Sequence, residues 1–474
     1  MPFADVATAD VPLSRLLRLS LFQISVGMAM VLLLGTLNRV MIVELDVPAS
    51  LVGIMVALPL VFAPLRALIG YRSDTHRSEL GWKRVPFIWQ GTLLQFGGFA
   101  IMPFALLVLA GAGEAADAPI WLGRLAAGIA FLLVGAGMHM VQTVGLALAT
   151  DITPVESHPQ VVGLMYVMLL AGMIVSSLLF GTLLADFTPG RLVQVVQGAA
   201  VATVLFNLIA LWKQEVRKPR RGAPALPPDP SFQESWMQFC AGDRAVRRLV
   251  AIGLGTMAFS MADILLEPFG GEVLALSVGA TTKLTALLAL GGLLGFSYAS
   301  NVLARGGDPF RMARAGAFMG LPAFGLVMIA APMQAPALFI IGNFLVGFGG
   351  ALFGHGTLTA TMNTAPKAQV GLALGAWGAV QATAAGVGIA LSGVIRDAVV
   401  AFGPGAGTGT LGHVSSGYMV VYALEIALLL TTLVVIAPLI RRGSEVVEEP
   451  ELYPSPRPRT VAEQSAESTA GASA

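Results

Sequence analysis

The stretch LRLSLFQISVGMAMVLLLGTLNRVMIV, residues 17–43, is long and apolar enough to cross a lipid bilayer as one helix. A helix needs roughly 20 apolar residues to span the hydrocarbon core of a bilayer. Eleven similar stretches follow, separated by short polar breaks. We therefore predict an all-α polytopic membrane protein with twelve transmembrane helices at residues 17–43, 50–70, 85–109, 120–150, 161–184, 192–212, 249–270, 276–304, 315–331, 337–362, 371–395 and 418–440.

The composition agrees with a membrane protein and argues against several other classes. Hydrophobic residues make up 56% of the chain and charged residues 12%, whereas charged residues form about a quarter of soluble domains. The net charge of +1 gives no reason to expect nucleic acid as a partner. The single Cys240 rules out an internal disulfide. No nucleophile elbow, phosphate loop or paired metal motif occurs in a suitable context, so we expect no enzyme activity and no free metal ion.

The positive charges predict the orientation in the membrane. If the N-terminus is cytoplasmic, 22 of the 28 Lys and Arg residues fall in cytoplasmic segments. The loops on the opposite side carry acidic residues instead, among them Glu44, Asp46 and Asp186. Cytoplasmic loops of membrane proteins are enriched in Lys and Arg. Both termini are therefore predicted to be cytoplasmic.

The longest polar interruption divides the chain into two halves. We predict a cytoplasmic N-terminal segment at residues 1–16, a six-helix bundle at 17–212, a cytoplasmic linker at 213–248, a second six-helix bundle at 249–440 and a disordered tail at 441–474. The string Val134-Gly135-x-Gly137 of the fourth span recurs as Val346-Gly347-x-Gly349 in the tenth. A duplicated six-helix unit leaves weak internal symmetry of this kind. Chance matching between glycine-rich helices is the alternative.

The loop after the second span carries a motif. It contains Gly70, Asp74, Gly81, Lys83 and Arg84, and it resembles the loop motif of the major facilitator superfamily, in which Gly-x-x-x-Asp precedes a glycine and a basic pair. The glycine permits close approach of two helix ends, and the aspartate can meet basic groups and helix N-termini. An ordinary basic cytoplasmic loop is the alternative.

Longer sequence strings indicate a particular family within this superfamily. LGTLNRVMIVEL from residue 34, APLRALIGYRSDTHR from residue 63, GWKRVP from residue 81 and DILLEPFGGE from residue 263 resemble the bacteriochlorophyll-delivery family (PucC and LhaA) of that superfamily. The resemblance covers essentially the whole membrane region. It implies two pseudo-symmetric six-helix bundles in a bacterial inner membrane, cytoplasmic or intracytoplasmic.

The same resemblance implies a function. The protein would bind bacteriochlorophyll and deliver it to the light-harvesting antenna α/β polypeptides, with carotenoid as a second candidate cargo. Pigment-synthesis enzymes and the membrane insertion machinery are further candidate partners. The alternative function is that of a proton-coupled transporter of an amphipathic small molecule.

Two histidines are candidate ligands of the pigment magnesium. Of the five histidines, only His139 and His355 fall within predicted spans, on the fourth and tenth helices. The resemblance implies that these helices line a central cavity, and a neutral imidazole is a frequent metal ligand. The alternative is that each histidine hydrogen-bonds a neighbouring helix.

Three charged residues lie towards the outer ends of the first and seventh spans. Arg39 belongs to the first, and Asp263 and Glu267 share one face of the seventh. Charges within a membrane span are costly and mark pathways or internal pairs. We predict that Arg39 pairs with Asp263 or Glu267 and closes the outer side of the cavity. A static ion pair, extension of the side chains to the interface and proton transfer through Asp263 are the alternatives.

Overall fold

The chain folds into helices in a computed structural model that describes residues 11–61, 69, 72–73, 81–111, 117–154, 157–215, 244–364, 370–403 and 411–440. These residues contain helices and turns but no strand. The helices are α1 Leu13–Glu44, α2 Ala49–Val61, α3 Val85–Leu109, α4 Ile120–Asp151, α5 His158–Leu183, α6 Pro189–Leu211, α7 Ala245–Glu272, α8 Val278–Ala304, α9 Pro309–Met333, α10 Pro336–Thr364, α11 Val370–Phe402 and α12 Leu411–Ile436. The all-α prediction is confirmed.

Eleven of these helices are long and apolar enough to cross a membrane, counted over the described residues. In α2 the apolar helix that is described, Ala49–Leu60, is shorter. We call the side of the bilayer where α1 begins and α12 ends the terminal side, and the opposite side the far side. Because every backbone group must be satisfied without water in the bilayer, apolar stretches of this length fold as helices.

Several helices extend beyond the predicted apolar spans because polar residues define their ends. The clearest case is α9, which starts at Pro309, ahead of the predicted span 315–331. The Asp308 side chain accepts hydrogen bonds from the backbone N–H groups of Phe310, at 2.8 Å, and Arg311. An aspartate N-cap followed by proline is a favoured helix start. A prediction from hydropathy does not include such a polar cap.

The most extensive contacts between the two halves of the chain are those of α2 with α11 and of α5 with α8. A Cβ on Gly393 would overlap the backbone of Ala49, and a Cβ on Gly279 would overlap the backbone of Gly181. All four residues lie towards the far side. Glycine at these positions permits the close helix contact that is typical of packing in membranes.

The twelve helices pack as one unit, which ends at Leu439. Within it, the residue boundaries of the two bundles and of the linker stay predictions. Residues 216–243 of the predicted linker and the predicted tail 441–474 lie outside the described residues.

Two helices are irregular where the halves meet. In α1, π-helical turns occupy Val31–Thr36 and Val40–Glu44. In α7, a 3₁₀ turn at Ala262–Ile264 separates Ala245–Met261 from Leu266–Glu272. Such interruptions are frequent at functional sites. They lie close to the charged residues that the sequence singles out.

Candidate functional site

The basic pair of the loop motif joins the start of α3 to the end of α4. Arg84 is buried, and its Nε lies 2.9 Å from a carboxylate oxygen of Asp151. The Nζ of Lys83 lies 3.6 Å from the same carboxylate. Arg84 also donates to the Ser73 hydroxyl at 2.6 Å. Gly81 has a φ of 79°, which favours glycine. Gly70 and Asp74 lie outside the described residues.

Glu215, which the motif does not include, completes this network. Its carboxylate accepts hydrogen bonds from the backbone N–H groups of Lys83 at 2.5 Å, Arg84 at 3.0 Å and Val85 at 2.9 Å. These are among the first N–H groups of α3, which have no partner inside the helix. A negative charge is also favourable at a helix N-terminus. Glu215 therefore fixes the end of α6 to the start of α3.

The predicted ion pair of Arg39 with Asp263 or Glu267 is wrong in this structure. The Nη1 of Arg39 lies 3.0 Å from a carboxylate oxygen of Glu44, on the same helix. Its Nη2 donates to the backbone carbonyl of Leu276, just before α8, at 3.3 Å. The π-helical turn Val40–Glu44 is the physical reason, because it brings residue 44 next to residue 39.

Arg39 nevertheless joins helices of both halves. The guanidinium lies against Gly271 of α7, where a Cβ would overlap it. Its positive charge also reaches Glu267 without a direct ion pair. The contact with Leu276 therefore holds the far-side end of α1 against the segment between α7 and α8.

A second far-side network involves residues without an assigned role in the sequence. Arg396 of α11 pairs with Glu272 at the end of α7, and the Tyr418 hydroxyl donates to the same carboxylate at 2.8 Å. Asp397 accepts a hydrogen bond of 2.7 Å from the backbone N–H of Ser50, at the start of α2. Residues scattered over the chain form this network, so no local pattern reveals it. Both networks join helix ends of the two halves on the far side.

A small polar cavity lies between α1, α5, α7, α8 and α10. It has a volume of about 130 Å³, and its polar lining consists of Asp263, Glu267, Thr285 and Asn343. The Thr285 hydroxyl donates to one oxygen of Glu267, and the second oxygen is buried without a hydrogen-bond partner. The structure thus brings the two predicted acids together at one cavity.

Glu425 is a further buried acid, which lies within the predicted span 418–440. It is fully buried within α12, and neither carboxylate oxygen has a hydrogen-bond partner. It lies within electrostatic reach of Asp263. In the sequence, the only indication of this buried acid is that one acidic residue occurs within an apolar helix.

The two candidate histidines lie at helix contacts away from the polar cavity. His139 follows Gly135 by one turn of α4, and Gly135 contacts Pro59 of α2. His355 follows Ala351 by one turn of α10, and Ala351 faces Gly295 of α8. The ring centroid of His355 lies 4.4 Å from that of Phe296. Both histidines are half-buried, and the Nδ1 of each is buried without a hydrogen-bond partner.

A larger groove lies on the terminal side between the start of α3 and the end of α6. Its volume is about 860 Å³, and Trp82, Trp89 and Trp212 contribute to its largely apolar lining. Tryptophan is enriched at membrane–water interfaces. The groove therefore indicates the depth at which these two helix ends meet the lipid headgroups.

Comparisons with known proteins agree with the architecture. The chain matches the model of the family described as "PUCC protein" over residues 36–444. It is 66% identical over 401 residues to Protein PucC of Rhodovulum sulfidophilum, covering 84% of this chain and 88% of that protein. It is 57% identical over 446 residues to Protein PucC of Rhodobacter capsulatus, covering 94% of this chain and 96% of that protein.

A solved structure with the same fold is that of a bacterial homologue of the iron transporter ferroportin in its inward-facing state. The two chains are 15% identical with a TM-score of 0.64, and the match covers 89% of this chain and 97% of that one. At this identity the similarity shows the fold alone. It confirms the predicted major facilitator superfamily fold and a multi-pass membrane protein. Together with the family match and the two relatives, these findings show that the chain belongs to the PucC family.

Proposed function

We propose that this protein is a non-enzymatic assembly factor of light-harvesting complexes, which binds bacteriochlorophyll in the membrane and delivers it to the antenna α/β polypeptides. The observation that carries the proposal is membership of the PucC family over most of the chain. We place the protein in the bacterial inner membrane, cytoplasmic or intracytoplasmic, with both termini cytoplasmic. Carotenoid as a second cargo, and pigment-synthesis enzymes and the insertion machinery as partners, belong to the same proposal.

The unpaired histidine nitrogens support pigment binding. Buried polar atoms nearly always have a hydrogen-bond partner, yet the Nδ1 atoms of His139 and His355 have none. A neutral imidazole can supply an axial ligand to the magnesium of bacteriochlorophyll. The two histidines, one in each half of the chain, are therefore suitable ligands for the magnesium of the pigment.

The aromatic neighbours of His355 favour it as the first site. Phe296 lies beside the imidazole, and its ring stacks on that of Tyr166 at a centroid distance of 6.2 Å. Aromatic side chains contribute large apolar surfaces with preferred stacking geometries. A flat macrocycle would find an apolar environment here.

The central cavity of the protein is too small to hold the pigment. The central polar cavity measures about 130 Å³, whereas pockets for drug-sized ligands measure about 300–1,000 Å³. Bacteriochlorophyll is larger than such ligands. We therefore propose that pigment binds along the contacts α2–α4 and α8–α10, where the two histidines lie.

The test is the pigment content of the purified protein. Full-length protein isolated in detergent from a phototrophic host is expected to show the near-infrared absorption of bacteriochlorophyll. His355→Phe and His139→Phe are expected to lower the ratio of pigment to protein severalfold at an unchanged yield of folded protein. His158→Phe, at the first residue of α5, is the matched control and should keep the ratio.

Two outcomes would contradict different parts of the proposal. Wild-type ratios in both variants would remove the histidines as ligands. A colourless wild-type protein from a host that makes pigment would remove the function itself.

The second candidate function is proton-coupled transport of an amphipathic small molecule. It is favoured by the buried, incompletely paired carboxyl groups of Glu267 and Glu425. Solute uptake into vesicles that contain the purified protein, driven by an imposed pH gradient, would support it. A coloured protein that leaves the pH gradient intact would exclude it.

A further inference from the structure

The helix α7 is interrupted at a polar contact between the two halves. Its 3₁₀ turn at Ala262–Ile264 breaks the regular helix hydrogen bonds. Asn38 of α1 donates its side-chain amide to the carbonyl of Ile264 at 3.2 Å and to that of Asp263 at 3.5 Å. Discontinuous helices at the interface between repeats supply carbonyl oxygens to ions in membrane transporters. Here Asn38 already occupies the carbonyl oxygens at the break, and what lies beside the cavity are the residues on either side of it, Asp263 and Glu267.

Glu267 provides an oxygen that has no other partner. Its side chain is 5% exposed, one oxygen accepts from Thr285, and the other is buried and unpaired while the residue lines the cavity. Burial of a carboxylate is costly unless the charge is paired or coordinates a metal. Arg39, the nearby cation, is bound directly to Glu44 instead. The cavity thus contains a buried carboxyl group whose charge needs either a proton or a bound cation to offset it.

The walls of the cavity supply further oxygens of the same kind. Asp263 and Thr285 line it. Asn343 donates its amide to the carbonyl of Phe339 at 3.2 Å, which leaves its side-chain oxygen as an acceptor. Carboxylate, hydroxyl and amide oxygens are hard ligands. Among the described residues, no group of three His, Cys, Asp or Glu side chains suits a transition metal.

The volume limits what can bind. A water molecule occupies about 30 Å³ of the liquid, so about 130 Å³ holds one ion and a few waters. Calcium takes about six to eight oxygens, more than four side chains readily supply. Transporter sites at broken membrane helices hold Na⁺ or H⁺, and sodium is the one of these two that binds several oxygen ligands at once.

We propose that the cavity between α1, α7, α8 and α10 is a binding site for sodium, held by Asp263, Glu267, Thr285 and Asn343. This site is separate from the histidine contacts and does not depend on the pigment. It adds an ion-binding activity to the proposed assembly function. A bound cation would stabilise the contact of α7 with α1 and α8.

Direct binding of radioactive ²²Na⁺ to purified full-length protein in detergent tests the site. Wild-type protein is expected to bind ²²Na⁺, and excess unlabelled Na⁺ should displace it whereas choline should not. Glu267→Gln is expected to weaken binding at least tenfold. Glu425→Gln removes an equally buried carboxyl that does not line the cavity, and it should retain binding.

Thermal unfolding gives an independent readout on the same samples. Above the dissociation constant, each tenfold increase in sodium at constant ionic strength, balanced with choline chloride, should raise the unfolding midpoint of the wild type by roughly 1–2 °C. Glu267→Gln should lose this response while eluting as a monodisperse protein. Absence of ²²Na⁺ binding to the wild type would overturn the proposal, as would undiminished binding to Glu267→Gln. A response to pH alone would overturn it in favour of a proton site.

Discussion

Glu215 offers a sharp test of how the terminal side is held together. Its carboxylate accepts from three successive backbone N–H groups at the start of α3, at 2.5, 3.0 and 2.9 Å. Loss of a helix cap costs about 1–2 kcal/mol, and loss of a negative charge at a helix N-terminus costs about 0.5–1 kcal/mol. We expect Glu215→Ala to lower the free energy of unfolding by about 1.5–3 kcal/mol. For a chain of this length, that corresponds to about 1.5–3 °C in the unfolding midpoint.

The assay is thermal unfolding of the full-length protein in detergent, with two comparison variants. Glu215→Gln keeps an acceptor oxygen but loses the charge, so it should lose about a third as much stability as the alanine variant. Asp186 lies in a surface ion pair and is 94% exposed, so Asp186→Ala should change the midpoint little. The reasoning is refuted if Glu215→Ala and Asp186→Ala unfold at the same temperature.

Three further variants test the centre and the far side. Gly35→Ala would place a methyl group against the Glu267 carboxylate, and it should lower the free energy of unfolding by about 1–3 kcal/mol. Gly97→Ala is the control, because the new Cβ would lie in open space; it should not lower the free energy of unfolding. Arg39→Lys should lower the unfolding midpoint because one ammonium group cannot replace a guanidinium that bridges Glu44 and the Leu276 carbonyl; an unchanged midpoint would contradict this. Glu425→Gln should preserve or raise the midpoint, since a neutral amide replaces a buried carboxyl without partners; a large decrease would reveal a missed interaction.

The number and order of the helices could be predicted from sequence because the bilayer leaves few alternatives. Backbone groups in lipid must pair within a helix or a closed barrel, so long apolar stretches predict helices directly. The ends were less predictable because they depend on individual polar contacts. Asp308 starts α9 before its apolar stretch begins.

The loop motif shows which part of a site a sequence pattern reveals. The pattern singled out Lys83 and Arg84, and the structure places both against Asp151. The partners themselves could not be predicted, because Asp151 lies 67 residues and Glu215 131 residues from Arg84. Only the packing of α3 between α4 and α6 brings these residues together.

The position of Arg39 shows how a π-helical turn changes the partner of a charged residue. In a regular α-helix, residues five apart point in different directions, so Glu44 was not an expected partner of Arg39. A π-helical turn bonds residues five apart, and Leu45 donates to the carbonyl of Val40 in this way at 3.1 Å. The turn therefore supplies Arg39 with an acidic partner on its own helix.

This exchange of partners has a consequence for Glu267. A direct pair with Arg39 would have occupied the second carboxylate oxygen and neutralised its charge. Because Arg39 binds Glu44 instead, that oxygen stays buried, unpaired and beside the cavity. If Glu44→Gln releases Arg39 to pair with Glu267, ²²Na⁺ binding should weaken in this variant although Glu44 does not line the cavity. Unchanged binding would show that the two acids act independently, and the π-helical turn would then be a feature of helix packing alone.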